Sequence, residues 1–163
     1  MTDAGGEPVA EAGMLIRRPV AEVFEAFVDP AVTTRFWFTR SSGRLEPGAR
    51  VRWDWEVYGV GTQVEVQAVE PCRRIRIVWD APDDPTTVEW TFDERGPNWT
   101  LVSVVQSGFD PAAEDVVAKV ADSSGGFALV LAGAKAWLEH GLALNLVADR
   151  HPDALVEGWG DRR

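Results

Sequence analysis

Between Arg50 and Val105 the chain runs through one pattern five times: apolar and polar residues alternate, interrupted only by turns, with tryptophans on the apolar side. In Val51-Arg52-Trp53-Asp54-Trp55-Glu56-Val57 every second residue is bulky and those between are charged. Strand side chains alternate faces, so Val51, Trp53, Trp55 and Val57 share one surface while Arg52, Asp54 and Glu56 share the other. A sheet built this way has a wet face and a broad aromatic face that another element must cover.

The pattern predicts strands over 49–57, 62–70, 73–80, 86–93 and 99–106. Their connections, at 58–61, 71–72, 81–85 and 94–98, are short enough for hairpins, which makes the sheet an antiparallel meander. Upstream, 14–18 reads as an edge strand. Pro19 suits the first turn of a helix carrying Val20, Val23, Phe24 and Phe27 at helical spacing. Asp29-Pro30 ends it, and 30–36 begins a second short helix that closes on Arg35-Phe36-Trp37-Phe38.

Downstream, 113–121 can form a helical turn or two. Asp122, Ser123 and Ser124 then offer N-caps for a final helix. Its stripe is Phe127, Val130, Leu131, Ala134, Trp137, Leu138, Gly141 and Leu142, which implies about 20 residues and roughly 30 Å, enough to cross the sheet. The predicted organisation is a disordered leader over 1–13, one domain over 14–146 and a loosely ordered tail over 147–163.

Twenty-six acidic residues against 16 basic ones give a net charge of −10. That balance opposes nucleic acid or an anionic membrane as partner, because both need a basic footprint. Cys72 is the single cysteine, so no internal disulfide or four-cysteine zinc site can form; it reads as a half-buried residue in a strand-end turn. Residues 1–13 lack a basic region followed by an apolar core, so no signal peptide is expected. No unbroken apolar run reaches about 18 residues, so no membrane-spanning helix is expected either. The expected location is the cytoplasm.

His140 and His151 have no metal-ligand spacing, and His140 lies off the apolar stripe, so solvated histidines and no metal are expected. Asp83-Asp84 reads as a solvated turn, and Asp54 and Glu56 as partners of arginines on the outer face. No nucleophile elbow, phosphate loop or dinucleotide fingerprint is present. No catalytic residue and no cofactor is assigned.

A twisted meander covered by one amphipathic helix is a two-layer α+β domain. A curved sheet cannot touch a straight helix everywhere, and the gap is either plugged by large side chains or left as a ligand pocket. The eight tryptophans suit both outcomes. Candidate ligand-binding residues are Trp53, Trp55, Trp79 and Trp90 on the apolar face, Trp37 before the sheet, and Phe127 and Leu131 on the helix. Gln106 joins them if Val102 and Val104 point inward. The opposite register, with Leu101, Ser103 and Val105 inward, is nearly as apolar, and the pattern does not choose between them.

Several segments resemble the START-like (SRPBCC) superfamily, and within it bacterial proteins similar to the C-terminal domain of the activator of heat-shock protein 90 ATPase. Ile16-Arg17-Arg18-Pro19-Val20-Ala21-Glu22-Val23-Phe24 is similar to an opening of the form I-x-A-P-x-E-x-V followed by Trp or Phe. Arg35-Phe36-Trp37 fits the tryptophan-containing end of the second helix, and Leu45-Glu46-Pro47-Gly48-Ala49-Arg50-Val51 resembles the lead-in to the sheet. The run from Trp99 to Phe109 resembles T-x-L-x-L-x-(H/Q)-x-G-F. Gly126-Phe127, Leu131 and Trp137-Leu138-Glu139 resemble the family's final helix, with Phe127 where tryptophan is usual. The likeness covers about 14–146 and leaves 147–163 unexplained.

The resemblance implies a helix-grip fold, like that of birch-pollen allergens: an antiparallel meander wrapped around a long C-terminal helix, with two short helices after the first strand. It also implies an internal hydrophobic cavity, so binding of a small hydrophobic molecule is the leading expectation, with a homodimer as a further possibility. Cyclase, aromatase or hydrolase chemistry is the enzymatic alternative, with Gln106, Thr62 and Thr100 as polar groups; it requires a carboxylate, histidine or tyrosine bordering the pocket. A chaperone-associated role ranks below both, since the likeness reaches only the part resembling the activator's C-terminal domain.

Overall fold

A computed structural model describes residue 2 and residues 5–80 and 84–159. The described residues form one seven-stranded antiparallel sheet in the order β1-β7-β6-β5-β4-β3-β2. β1 (Ala10–Ile16) leads to α1 (Val20–Val28) and α2 (Pro30–Thr33), then to the short β2 (Arg40–Ser41). The meander is β3 (Arg50–Trp55), β4 (Val60–Glu70), β5 (Arg74–Trp79), β6 (Thr86–Gly96) and β7 (Trp99–Ser107). The helix α3 (Val116–His140) follows, and α4 (Leu146–Asp149) lies in the C-terminal segment. This is the expected helix-grip architecture.

Alternation dictates the two faces. Val51 and Trp53 on β3, Val64 and Val66 on β4, Ile75 and Ile77 on β5, and Val88, Trp90 and Phe92 on β6 are buried beneath the helices. On β7, Val102, Val104 and Gln106 point inward, which settles the register left open by the pattern. The other face carries crossing ion pairs, among them Arg40 with Asp54 and Glu56, Arg50 with Glu65, and Arg76 with Glu89. Irregular pairing between Val66 and Ala68 on β4, and between Glu94 and Gly96 on β6, bends the sheet as bulges do.

Three expectations need correction. β1 begins at Ala10, not residue 14, and Val9 and Ala10 are buried; the leader's last residues are small, so no alternation betrays the strand that β7 recruits. Second, α3 is one helix of 25 residues with Asp115 at its N-cap, so Asp122, Ser123 and Ser124 lie inside it and cap nothing. Val120 and Phe127, both buried, stand seven residues apart on one face, and covering that face carries the helix through the polar stretch. Third, α3 is long and apolar enough by length and composition to cross a bilayer. Lys119, Asp122 and Lys135 interrupt its apolar run, so no unbroken stretch marks it in the sequence; here its face of Phe127, Val130, Leu131 and Ala134 packs on the sheet.

α3 is tied along β1. The Glu11 amide donates to Ser124 Oγ at one end, and the Arg17 amide to Glu139 at the other. Arg18 donates from Nε to the Leu138 carbonyl at 2.7 Å, satisfying a helix-terminal acceptor and neutralising the negative end of the dipole. Gly133 lets α3 approach the chain leaving α2: a Cβ there would stand 3.1 Å from Phe36 Cβ and 3.3 Å from its carbonyl oxygen.

The segment after α3 is also more structured than the expected loose tail. The Tyr58 hydroxyl donates to the Val147 and Ala148 carbonyls, Arg150 pairs with Asp122 at 3.2 Å, and the Val156 amide bonds the Val57 carbonyl at 2.8 Å. These contacts make residues 145–156 a strap across one end of the sheet.

Candidate ligand-binding cavity

Between α3 and the inner face of the sheet lies a cavity of about 470 Å³. Trp55 from β3 and Trp79 from β5 form part of its wall, their rings stacked at 5.8 Å and 28°. Trp37, delivered by the turn after α2, packs against Trp79 at 5.7 Å. Phe127 comes down from α3 and meets Trp79 edge-on at 6.1 Å and 85°. Each such ring pair adds about 0.5–1.5 kcal/mol beyond area burial, so the wall is rigid as well as apolar.

Five of the eight candidate residues therefore border the cavity: Trp37, Trp55, Trp79, Gln106 and Phe127. The other three, Trp53, Trp90 and Leu131, lie behind the wall in the packed core, each about 1% exposed. Trp53 stacks on Phe38 at 4.6 Å, and Trp90 meets Phe127 edge-on at 6.2 Å. Plug and pocket, set as alternatives by the sequence, coexist: of the six candidate rings, two fill and four enclose. The indole N–H groups of Trp53 and Trp90 are buried without hydrogen-bond partners, at a cost of about 1–3 kcal/mol each.

Polar groups are few inside and gathered at the mouth. Gln106 is 7% exposed; its Nε2 donates to Thr86 Oγ1 at 2.8 Å, while its Oε1 is buried with no partner. Thr62 borders the cavity and donates to Asp80. Thr100, the third polar candidate, is not there: it is buried at the far end of β7 and donates to the Arg18 carbonyl at 2.9 Å. A second chamber of about 180 Å³ shares Asp80, Gln106, Asp122 and Ser123 with the first and continues toward Lys119 and Asp84. Asp84 faces Lys119 at 3.6 Å, while Asp83 lies outside the described residues.

The mouth was not legible in the sequence. Tyr58, Val60 and Gly61 supply one side, Val147, Arg150 and His151 the other. Arg150 fits because Gly125 has no side chain: a Cβ there would stand 3.0 Å from the guanidinium nitrogens. The signal was the Gly125-Gly126 pair inside a helix, costly in propensity unless another chain needs the room. Tyr58, Asp80, Asp122 and His151 put titratable groups on the rim, so the requirement set for acid–base chemistry is met there. Among the described residues no group of three or more His, Cys, Asp or Glu side chains could hold a metal ion.

A sequence profile described as "Activator of Hsp90 ATPase homolog 1-like protein" matches residues 17–139, most of the chain. The chain belongs to this family. A crystal structure of a Staphylococcus saprophyticus protein, 29% identical, superposes with a TM-score of 0.72 over 83% of this chain and 95% of that one. The Aha1 dimer from Colwellia psychrerythraea shares the fold at 17% identity and a TM-score of 0.70, over 82% and 97% of the two chains. DynU16, from the dynemicin biosynthetic locus, is 24% identical with a TM-score of 0.69 over 84% of this chain and 49% of its own. A search of curated proteins finds no match. Phe127, within the matched range on α3, forms cavity wall.

Proposed function

We propose that this protein binds a small hydrophobic molecule in the chamber between α3 and the sheet. The observation that carries this reading is an unfilled space of about 470 Å³ walled by Trp37, Trp55, Trp79 and Phe127. Its size falls within the roughly 300–1,000 Å³ of small-molecule sites, and aromatic walls of this kind are common in them. Titration with 2-methylnaphthalene, followed by tryptophan fluorescence and calorimetry, tests it. Saturable binding that Trp79→Ala weakens supports the reading; no binding by the wild type contradicts it.

Acid–base chemistry on a bound molecule is the second reading, favoured by Asp80, Asp122 and His151 on the rim. It requires a ligand whose reactive atom reaches the mouth, and turnover that Asp80→Asn or Asp122→Asn abolishes. A chaperone-associated role is supported by the family's description alone, and reproducible capture of the chaperone would promote it. Self-association is a separate proposal, supported by the dimeric Colwellia relative; light scattering that returns the mass of a single chain contradicts it.

A further inference from the structure

Among the described residues, Gln106 is the one side chain that borders both chambers while nine-tenths buried with an uncommitted hydrogen-bonding atom. β7 dictates this position: Val102 and Val104 precede it on the same inward face, so the amide arrives in an apolar layer. One half of the amide is engaged with the Thr86 hydroxyl on the neighbouring β6. The other half has no partner, and exchanging the amide's oxygen and nitrogen leaves the same count, because a hydroxyl can donate as well as accept. An apolar filler would leave that atom unsatisfied. The terminal glutamine torsion is soft, so the free half can turn to an occupant without backbone movement.

We infer that Gln106, held by Thr86, is a specificity-determining residue that reads a hydroxyl group on a planar aromatic ligand. A hydroxyl fits because it satisfies whichever amide atom is free. A planar ring system fits because four aromatic side chains, Trp37, Trp55, Trp79 and Phe127, line the cavity and hold one another in fixed orientations. This inference rests on the ligand-binding reading above and adds the chemical class and the residue that selects it.

The test compares 2-naphthol with 2-methylnaphthalene, which differ only by hydroxyl for methyl, in the wild type and in Gln106→Met. The wild type should bind 2-naphthol about tenfold more tightly than 2-methylnaphthalene, as one buried polar contact worth about 1.4 kcal/mol gives. Gln106→Met should erase that preference, with the loss of affinity falling on 2-naphthol more than on 2-methylnaphthalene. If Gln106→Met does not fold, Thr86→Val, which frees the amide from its anchor, should reduce the preference on the same pair. Equal affinities in the wild type, a preference that survives these substitutions, or equal loss of both probes would overturn the inference while leaving ligand binding intact. Failure of both probes to bind the wild type would overturn the binding reading and this inference with it.

Discussion

The Tyr58 hydroxyl donates to the Ala148 carbonyl oxygen at 3.0 Å, joining the turn before β4 to the strap that follows α3. Residues 90 apart in sequence thus close one side of the cavity mouth. Val147, Arg150 and His151 stay at the rim because this hydroxyl and the Arg150–Asp122 pair hold the strap down.

Tyr58→Phe therefore removes the tie and nothing else of size. Stability should fall by about 1 kcal/mol, the usual worth of such a bond. Amide exchange should quicken in residues 145–156 and leave β5–β7 unchanged, measured by hydrogen–deuterium exchange. Uniform acceleration across the sheet would mean that the strap is not a separate opening unit.

The two close-approach glycines of α3 should respond with opposite signs. Alanine gains about 0.5–1 kcal/mol over glycine inside a helix. At Gly125 the new methyl meets only the tip of Arg150, which can swing aside, so Gly125→Ala should be neutral or stabilising. At Gly133 it meets Phe36 Cβ at 3.1 Å and backbone oxygen at 3.3 Å, which cannot. Gly133→Ala should cost about 1–2 kcal/mol in urea denaturation.

Glu139 sets an acid limit. Burial pushes its carboxyl upward, but the Lys135 ammonium at 2.6 Å and the Arg17 amide at 3.0 Å outweigh that and hold it below the usual carboxylate range. A lowered value in the folded state means the contribution is complete above the unfolded value of about 4.3 and lost as pH falls through the folded one. Glu139→Gln should thus destabilise at pH 7 and show a smaller further loss than the wild type on moving from about pH 5 to pH 3. Parallel pH profiles in denaturant titrations would contradict this.

Core and wall tryptophans should separate cleanly. Trp53→Ala opens a cavity in packed core and should cost about 3–5 kcal/mol. Trp79→Ala enlarges a space already present, so it should cost less while weakening ligand binding more. Thermal melts read beside probe titrations decide it.

The helix-grip architecture was legible because its largest part, the sheet from β3 to β7, follows a period of two that turns merely interrupt. The same period could not separate Trp55 and Trp79 from Trp53 and Trp90, since wall and plug share one face and differ only in what lies above them. Gln106 was visible as a candidate but its register was not, because both faces of β7 are apolar enough to be buried. The strap was hidden: its contacts, Tyr58 with Val147 and Arg150 with Asp122, span distant positions and leave no periodic trace. The polar run Asp122-Ser123-Ser124-Gly125-Gly126 read as a boundary because it is locally helix-averse, and tertiary packing overrode that preference.

The most direct measurement is a structure of the protein with 2-methylnaphthalene, by crystallography or intermolecular NMR contacts. Ring density or contacts against Trp55, Trp79 and Phe127 inside the cavity are the predicted result. A saturated sample showing the probe only on the outer surface, with the space beneath α3 closed by the tryptophans, would contradict the account.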